Sequence, residues 1–138
     1  MKKHRIAAFV FLFIAMTLFL TASFAPAQQS GPTETKGLTT VKTTAIDMAS
    51  EIEGMQGRQL RMRVLVLDPG GAIAIHKQLD RPEVIYVLQG SITEYQNGDV
   101  ILRNSGDTWT AGKEITHAVR NTGTGTATIV VTDIFKAQ

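Results

Sequence analysis

Gly70-Gly71-Ala72-Ile73-Ala74-Ile75-His76-Lys77-Gln78-Leu79-Asp80-Arg81-Pro82-Glu83 leads through an apolar run to Gly90, and Gly106-Asp107-Thr108-Trp109 leads on to His117 and Asn121. Both stretches are short apolar or β-branched runs broken by glycine, proline and aspartate, which reads as strand and turn. Apart from His4, the histidines of the chain are His76 and His117, one in each stretch. Two imidazoles and a carboxylate set in β-type sequence suit a divalent first-row metal.

Strand parity sharpens this. His76 and Gln78 are two apart and share a face, as do Ala72 and Ala74, whose small side chains leave room for an ion. Glu83 opens the next strand after a turn at Asp80-Arg81-Pro82, and Ile85 and Val87 on its face form an apolar wall. His117, Val119 and Asn121 share a face further on. Two imidazole nitrogens and one carboxylate oxygen on one side of an ion leave coordination positions open for oxygen, water or a chelating substrate.

The surrounding sequence is strand-rich throughout. Leu60 to Leu67 alternates with period two, and Ala72–Ile75, Val84–Leu88, Val100–Leu102, Thr108–Thr110, His117–Arg120 and Ala127–Phe135 are further strands. Asn97-Gly98 marks a hairpin. Arg58, Arg61 and Arg63 alternate with apolar residues and read as a solvent face. Met48 to Gln56 has room for a helical turn or two, capped by Asp47 or Ser50. Many short strands with frequent turns indicate an all-β sandwich or barrel.

The chain of 138 residues fits one domain. Lys2, Lys3 and Arg5, the apolar run from Ile6 to Phe24, and Ala25-Pro26-Ala27 read as a signal peptide over 1–27. Thr17, Thr21 and Ser23 weigh against the alternative, an uncleaved anchor. Cleavage after Ala27 leaves 111 residues, enough for a small core, and implies a periplasmic or secreted protein without stable membrane association. The polar stretch 28–38 reads as a flexible linker to a domain over 39–138. Three of the 14 basic residues lie in the leader, so the rest of the chain carries 11 basic and 12 acidic residues, a charge of −1. Nothing in that balance favours nucleic acid. No cysteine is present, so the exported domain owes nothing to disulfides.

Taken together, the two stretches resemble a single-domain cupin. The first cupin motif, G-x5-H-x-H-x(3,4)-E-x6-G, is matched by Gly70, His76, Glu83 and Gly90, with Gln78 at the second histidine. The second, G-x5-P-x-G-x2-H-x3-N, is matched by Gly106, His117 and Asn121, with Gly112 and Glu114 at the proline and glycine positions. The resemblance implies a jelly-roll barrel (a double-stranded β-helix) with a metal inside. His76, Gln78, Glu83 and His117 would be the ligands, Gln78 through its weaker amide oxygen, and Glu83 would also act as proton acceptor. Iron, manganese, nickel and zinc all suit that donor set. The implied activities are those of a metal-dependent oxygenase, isomerase or decarboxylase on a small molecule; the other reading is a small-molecule-binding module without turnover. The resemblance also implies a homodimer, with Ile129, Val130, Val131 and Ile134 of the last strand as its contact. Trp109 is expected in the core or pocket wall, Asn121 as a backbone-ordering residue, Asp80-Arg81-Pro82 as a surface turn and Glu114 as a loop charge.

Overall fold

A computed structural model describes residues 30–136, so the proposed signal peptide lies outside the described residues. Eight strands run β1 (Lys36–Asp47), β2 (Arg58–Lys77), β3 (Glu83–Gln89), β4 (Ser91–Gln96), β5 (Asp99–Asn104), β6 (Thr108–Ala111), β7 (Thr116–Arg120) and β8 (Ala127–Lys136). They form one antiparallel sheet in the order β5-β4-β7-β2-β8-β3-β6, with β1 paired to β2. The sheet curls until its ends approach. Val87 bonds to Asp107 and Gly106 to Val87, which draws the β5–β6 corner onto β3. The result is the nearly closed jelly-roll barrel that the sequence predicts.

The 20-residue β2 organises the barrel. Its first half pairs with β1 and β8, and its second half with β7. Between the halves the strand bends at Asp68-Pro69-Gly70-Gly71. Gly70 has φ +75°, and a Cβ on Gly71 would lie 2.6 Å from the Gly37 carbonyl oxygen, so only glycine fits there. The Asn97-Gly98 hairpin joins β4 to β5 with φ of 50° and 97°, the left-handed pair that a two-residue hairpin needs.

Cross-strand register stacks the inward side chains in layers. Leu67 and Ala127 form one layer, and Leu65, Ile129 and Val87 the next; then come Arg63, Val131, Ile85 and Trp109, and last Arg61, Asp133, Glu83 and Ala111. The first two layers are fully buried apolar core, and polarity rises towards the last. Burying each large aliphatic side chain of that core contributes about 1.5–3 kcal/mol.

This layering reverses the expected facing of the arginines. Arg61 and Arg63 share the inward face of β2 with Leu65 and Leu67, while Leu60 and Met62 point outward and are 40% and 44% exposed. Alternation tells which residues share a face; it does not tell which face is inside. On β8, likewise, Ile129 and Val131 point into the core, so of the expected dimer contacts only Val130 and Ile134 face outward.

Three segments depart from the sequence reading. Strands β1 and β4 are present although no strand was expected over them. In the 28–38 stretch, Ile75 N–H bonds to the Pro32 carbonyl, Ala74 N–H bonds to Thr35 Oγ1, and β1 begins at Lys36. Backbone pairing needs no apolar side chains, so polar composition did not reveal it. Met48–Gln56, by contrast, makes the turns expected of it, with Ile52 N–H bonding to the Met48 carbonyl and Met55 N–H to the Ile52 carbonyl around Gly54 at φ +82°.

Candidate metal centre

The sequence-predicted residues converge. His76 ends β2, Glu83 begins β3 and His117 lies on β7 directly opposite His76 in the register. Their Nε2 atoms are 3.2 Å apart, and His117 Nε2 lies 3.2 Å from Glu83 Oε1. One ligand atom from each of the three residues falls within 4.8 Å of the others. Glu83 and His117 are buried, and His76 is half-buried at the cavity edge.

Each imidazole is oriented from behind. His76 Nδ1 donates to the Ala74 carbonyl oxygen at 2.9 Å, and His117 Nδ1 donates to Glu94 Oε1 at 3.3 Å. With the proton on Nδ1, the Nε2 lone pair points to the centre, the usual arrangement of a metal-binding histidine. Two lone pairs and a carboxylate oxygen this close repel one another, a strain that the Gln78 amide N–H groups, a proton or a cation can relieve. Two imidazole nitrogens and one carboxylate oxygen within 4.8 Å of one another form a donor set that one divalent ion can bridge. The residues present fit a divalent cation.

Titration tells the same story. Burial opposes a charge on His117, but hydrogen bonds to Glu83 and Glu94 outweigh it and raise its pKa to about 9. His76 moves the other way: burial lowers its pKa, only partly offset by the bond to Ala74. The centre therefore attracts one positive charge, held between two carboxylates.

Gln78 is buried against both rings, its Nε2 3.0 Å from each Nε2. Its Oε1 accepts from Arg81 Nε at 3.4 Å. The expected oxygen donor thus faces Arg81, and turning it to the centre requires rotating the amide by half a turn. Trp109 is buried core, with Arg103 stacked 4.9 Å from its ring centroid. Asn121 orders backbone as expected: Nδ2 bonds to the Leu67 and Gly125 carbonyls, and Oδ1 accepts from Gly123. Glu114 is an exposed loop charge facing Lys77. Arg81, read as a surface-turn residue, lines the cavity.

Sequence reasoning missed the two fully buried carboxylates, Glu94 and Asp133. A signal for Glu94 was available: a hairpin at Asn97-Gly98 demands a strand before it, and Glu94 shares the parity of buried Ile92 there. A cavity of about 420 Å³ opens onto the centre, walled by Ile85, Val119 and Val131 and flanked by Arg63 and Arg81.

The family model for the cupin domain matches residues 63–133. The chain belongs to the cupin domain family. No curated protein matches this cupin's sequence. Among solved structures it is similar to a predicted oxalate decarboxylase from Thermotoga maritima (20% identity, 68% of this chain and 92% of that one, TM-score 0.51). It is also similar to a cupin-superfamily sugar phosphate isomerase from Silicibacter pomeroyi (16% identity, 68% of this chain and 60% of that one, TM-score 0.51). A third similar structure is the Cnp3 cupin domain of Schizosaccharomyces pombe (12% identity, 73% of this chain and 66% of that one, TM-score 0.55). At these identities the likeness is one of fold.

Proposed function

We propose that this cupin is an exported, metal-dependent enzyme acting on a small organic molecule, of the oxygenase, isomerase or decarboxylase type. The observation that carries the reading is the convergence of His76 Nε2, His117 Nε2 and Glu83 Oε1 at one end of an apolar-walled cavity. His76, Glu83 and His117 would hold the ion, with Gln78 as a fourth ligand once its oxygen turns inward. Two of the similar structures carry enzyme names, a predicted oxalate decarboxylase and a sugar phosphate isomerase, which is in keeping with this class.

A bound divalent cation with open positions supplies Lewis acidity to oxygens of the substrate. The chain's own residues do the rest. Glu94 fixes the tautomer of His117, and Ala74 fixes that of His76. Glu83 presents a carboxylate oxygen at the reacting end of the cavity, where it can accept a proton from bound substrate. Ile85, Val119 and Val131 line the same cavity with apolar surface, which lowers the local polarity and strengthens charge interactions made there.

The test is metal analysis of tag-free protein by mass spectrometry, followed by oxygen-uptake and carbon dioxide assays on a panel of dicarbonyl and hydroxy-acid compounds. Stoichiometric iron, manganese, nickel or zinc together with turnover supports the reading; metal-free protein indifferent to chelators overturns it. The second reading, a binding module without turnover, is favoured by one observation: the Gln78 amide nitrogen faces the histidines. Binding of a panel compound without consumption would select it.

Two further parts of the proposal rest on other features. Export rests on the leader-like 1–27 segment, and amino-terminal sequencing of periplasmic protein that begins before Gln28 would refute cleavage there. Homodimerisation rests on the outward apolar face formed by Leu60, Met62, Val84 and Tyr86, which are 39–54% exposed. Light scattering that gives a monomer mass at micromolar concentration would remove it.

A further inference from the structure

The inward row of arginines is not explained by metal chemistry. Asp133 is fully buried, and its two oxygens are taken by Arg61 in a bidentate pair at 3.0 and 2.7 Å. That pair alone neutralises the carboxylate, and Arg61 is further fixed by stacking on Phe135 at 4.1 Å. Arg63 then adds a second cation on Asp133 Oδ2 at 3.1 Å, and Arg81 Nε stands 3.8 Å from the same oxygen. Three guanidinium groups thus crowd one carboxylate, while Glu83, the other carboxylate of this layer, meets His117 through Oε1 and attracts Arg63 only at longer range.

The surplus is poorly satisfied by the protein. Arg63 gives a single hydrogen bond among the described residues, and its buried Nε has no partner. Arg81 gives one long hydrogen bond, to Gln78, among the described residues. Partly buried cations without counter-charge cost free energy, and a structural ion pair needs only one arginine. Arg63 and Arg81 line the same cavity as His76, Glu83 and His117, whereas Arg61 does not. About 420 Å³ has ample room for a small organic acid, and both arginines and all three centre residues line that one cavity.

We propose that Arg63 and Arg81 form an anion subsite that anchors a carboxylate of the substrate, with Asp133 and Arg61 holding Arg63 in place. The substrate class is then a small carboxylic acid whose other end reaches the His76–Glu83–His117 centre. The forked donors of arginine match a carboxylate, and their position at the cavity wall sets which end of the molecule faces the centre. This deepens the proposed enzyme reading, but the subsite itself needs no ion.

Calorimetric titration of the full chain with malonate and with its neutral diamide tests it, in chelator-treated and in metal-supplemented protein. Malonate is expected to bind, and the diamide at least about tenfold more weakly. R63Q and R81Q should each weaken malonate about tenfold or more while leaving the diamide unchanged, and R63K should recover part of the loss. R81Q guards against misfolding of the R63 variants, because the Arg81 side chain is 35% exposed. Malonate binding to metal-free protein that depends on Arg63 or Arg81 supports the subsite even if no metal is ever taken up. Equal affinity for malonate and diamide, or unchanged malonate affinity in both glutamine variants, overturns it.

Discussion

Glu94 and Asp133 are both carboxylates with no exposed surface worth the name, and they are partnered in opposite ways. Glu94 Oε2 takes two bonds from Arg103, at 2.9 and 2.7 Å, and Oε1 is left for His117. That charge is balanced, and its remaining capacity orients a ligand. Asp133 faces three arginines and is outnumbered, so positive charge spills towards the cavity. One buried acid closes a circuit behind the candidate metal centre; the other leaves one open beside it.

The largest effect should come from breaking the balanced side. Glu94→Ala leaves Arg103 partly buried without an anion and His117 without its Nδ1 acceptor. Unfolding free energy should fall by about 3–5 kcal/mol, read by urea titration, and metal affinity should fall about 10–100-fold. The pH profile of metal-free protein probes the same side. Folded His117 keeps its proton to about pH 9, against 6.5 for an ordinary imidazole. Its contribution is full below about 6.5 and is lost as pH rises through about 9, up to about 3 kcal/mol. His76, with a lowered pKa, works oppositely and costs stability as pH falls below 6.5. Thermal melts across this range should show the alkaline decline flattened in Glu94→Gln and kept in Asp133→Asn.

Breaking the outnumbered side should cost less and respond differently. Asp133→Asn leaves three arginines without their anion, a loss of about 2–3 kcal/mol. Added malonate should restore much of the melting temperature of Asp133→Asn and none of that of Glu94→Ala; equal rescue would erase the distinction between the two sites. The smallest effect concerns Gln78, which touches both regions through Arg81 and the histidines. Gln78→His should raise metal affinity about tenfold, roughly 1.4 kcal/mol, in a chelator competition.

Much of this was legible in the letters. The stretches from Gly70 to Gly90 and from Gly106 to Asn121 carried the resemblance that implied the jelly-roll barrel and singled out His76, Glu83 and His117, which the structure brings together. The hairpin at Asn97-Gly98 was legible because its backbone demands those residues. Strand β1 was not: Lys36 to Asp47 is exposed on nearly every side chain, so it lacks the alternation that burial on one face imposes. Asp133 and its arginines were hidden for a different reason. Their partners lie some 70 residues apart in sequence, and an arginine row on β2 reads as surface until β8 is laid beside it.

The bend in β2 carries a mechanical consequence. Arg61 and Arg63 precede Gly70-Gly71, and His76 follows it, all on one continuous strand. Two backbone bonds pin the bend to Asn121, from Gly70 N–H and to the Gly71 carbonyl. A small acid gripped at one end by Arg63 and at the other by the imidazole pair would splint this elbow, so amide hydrogens at Gly70 and Asn121 should exchange with solvent more slowly when the cavity is filled.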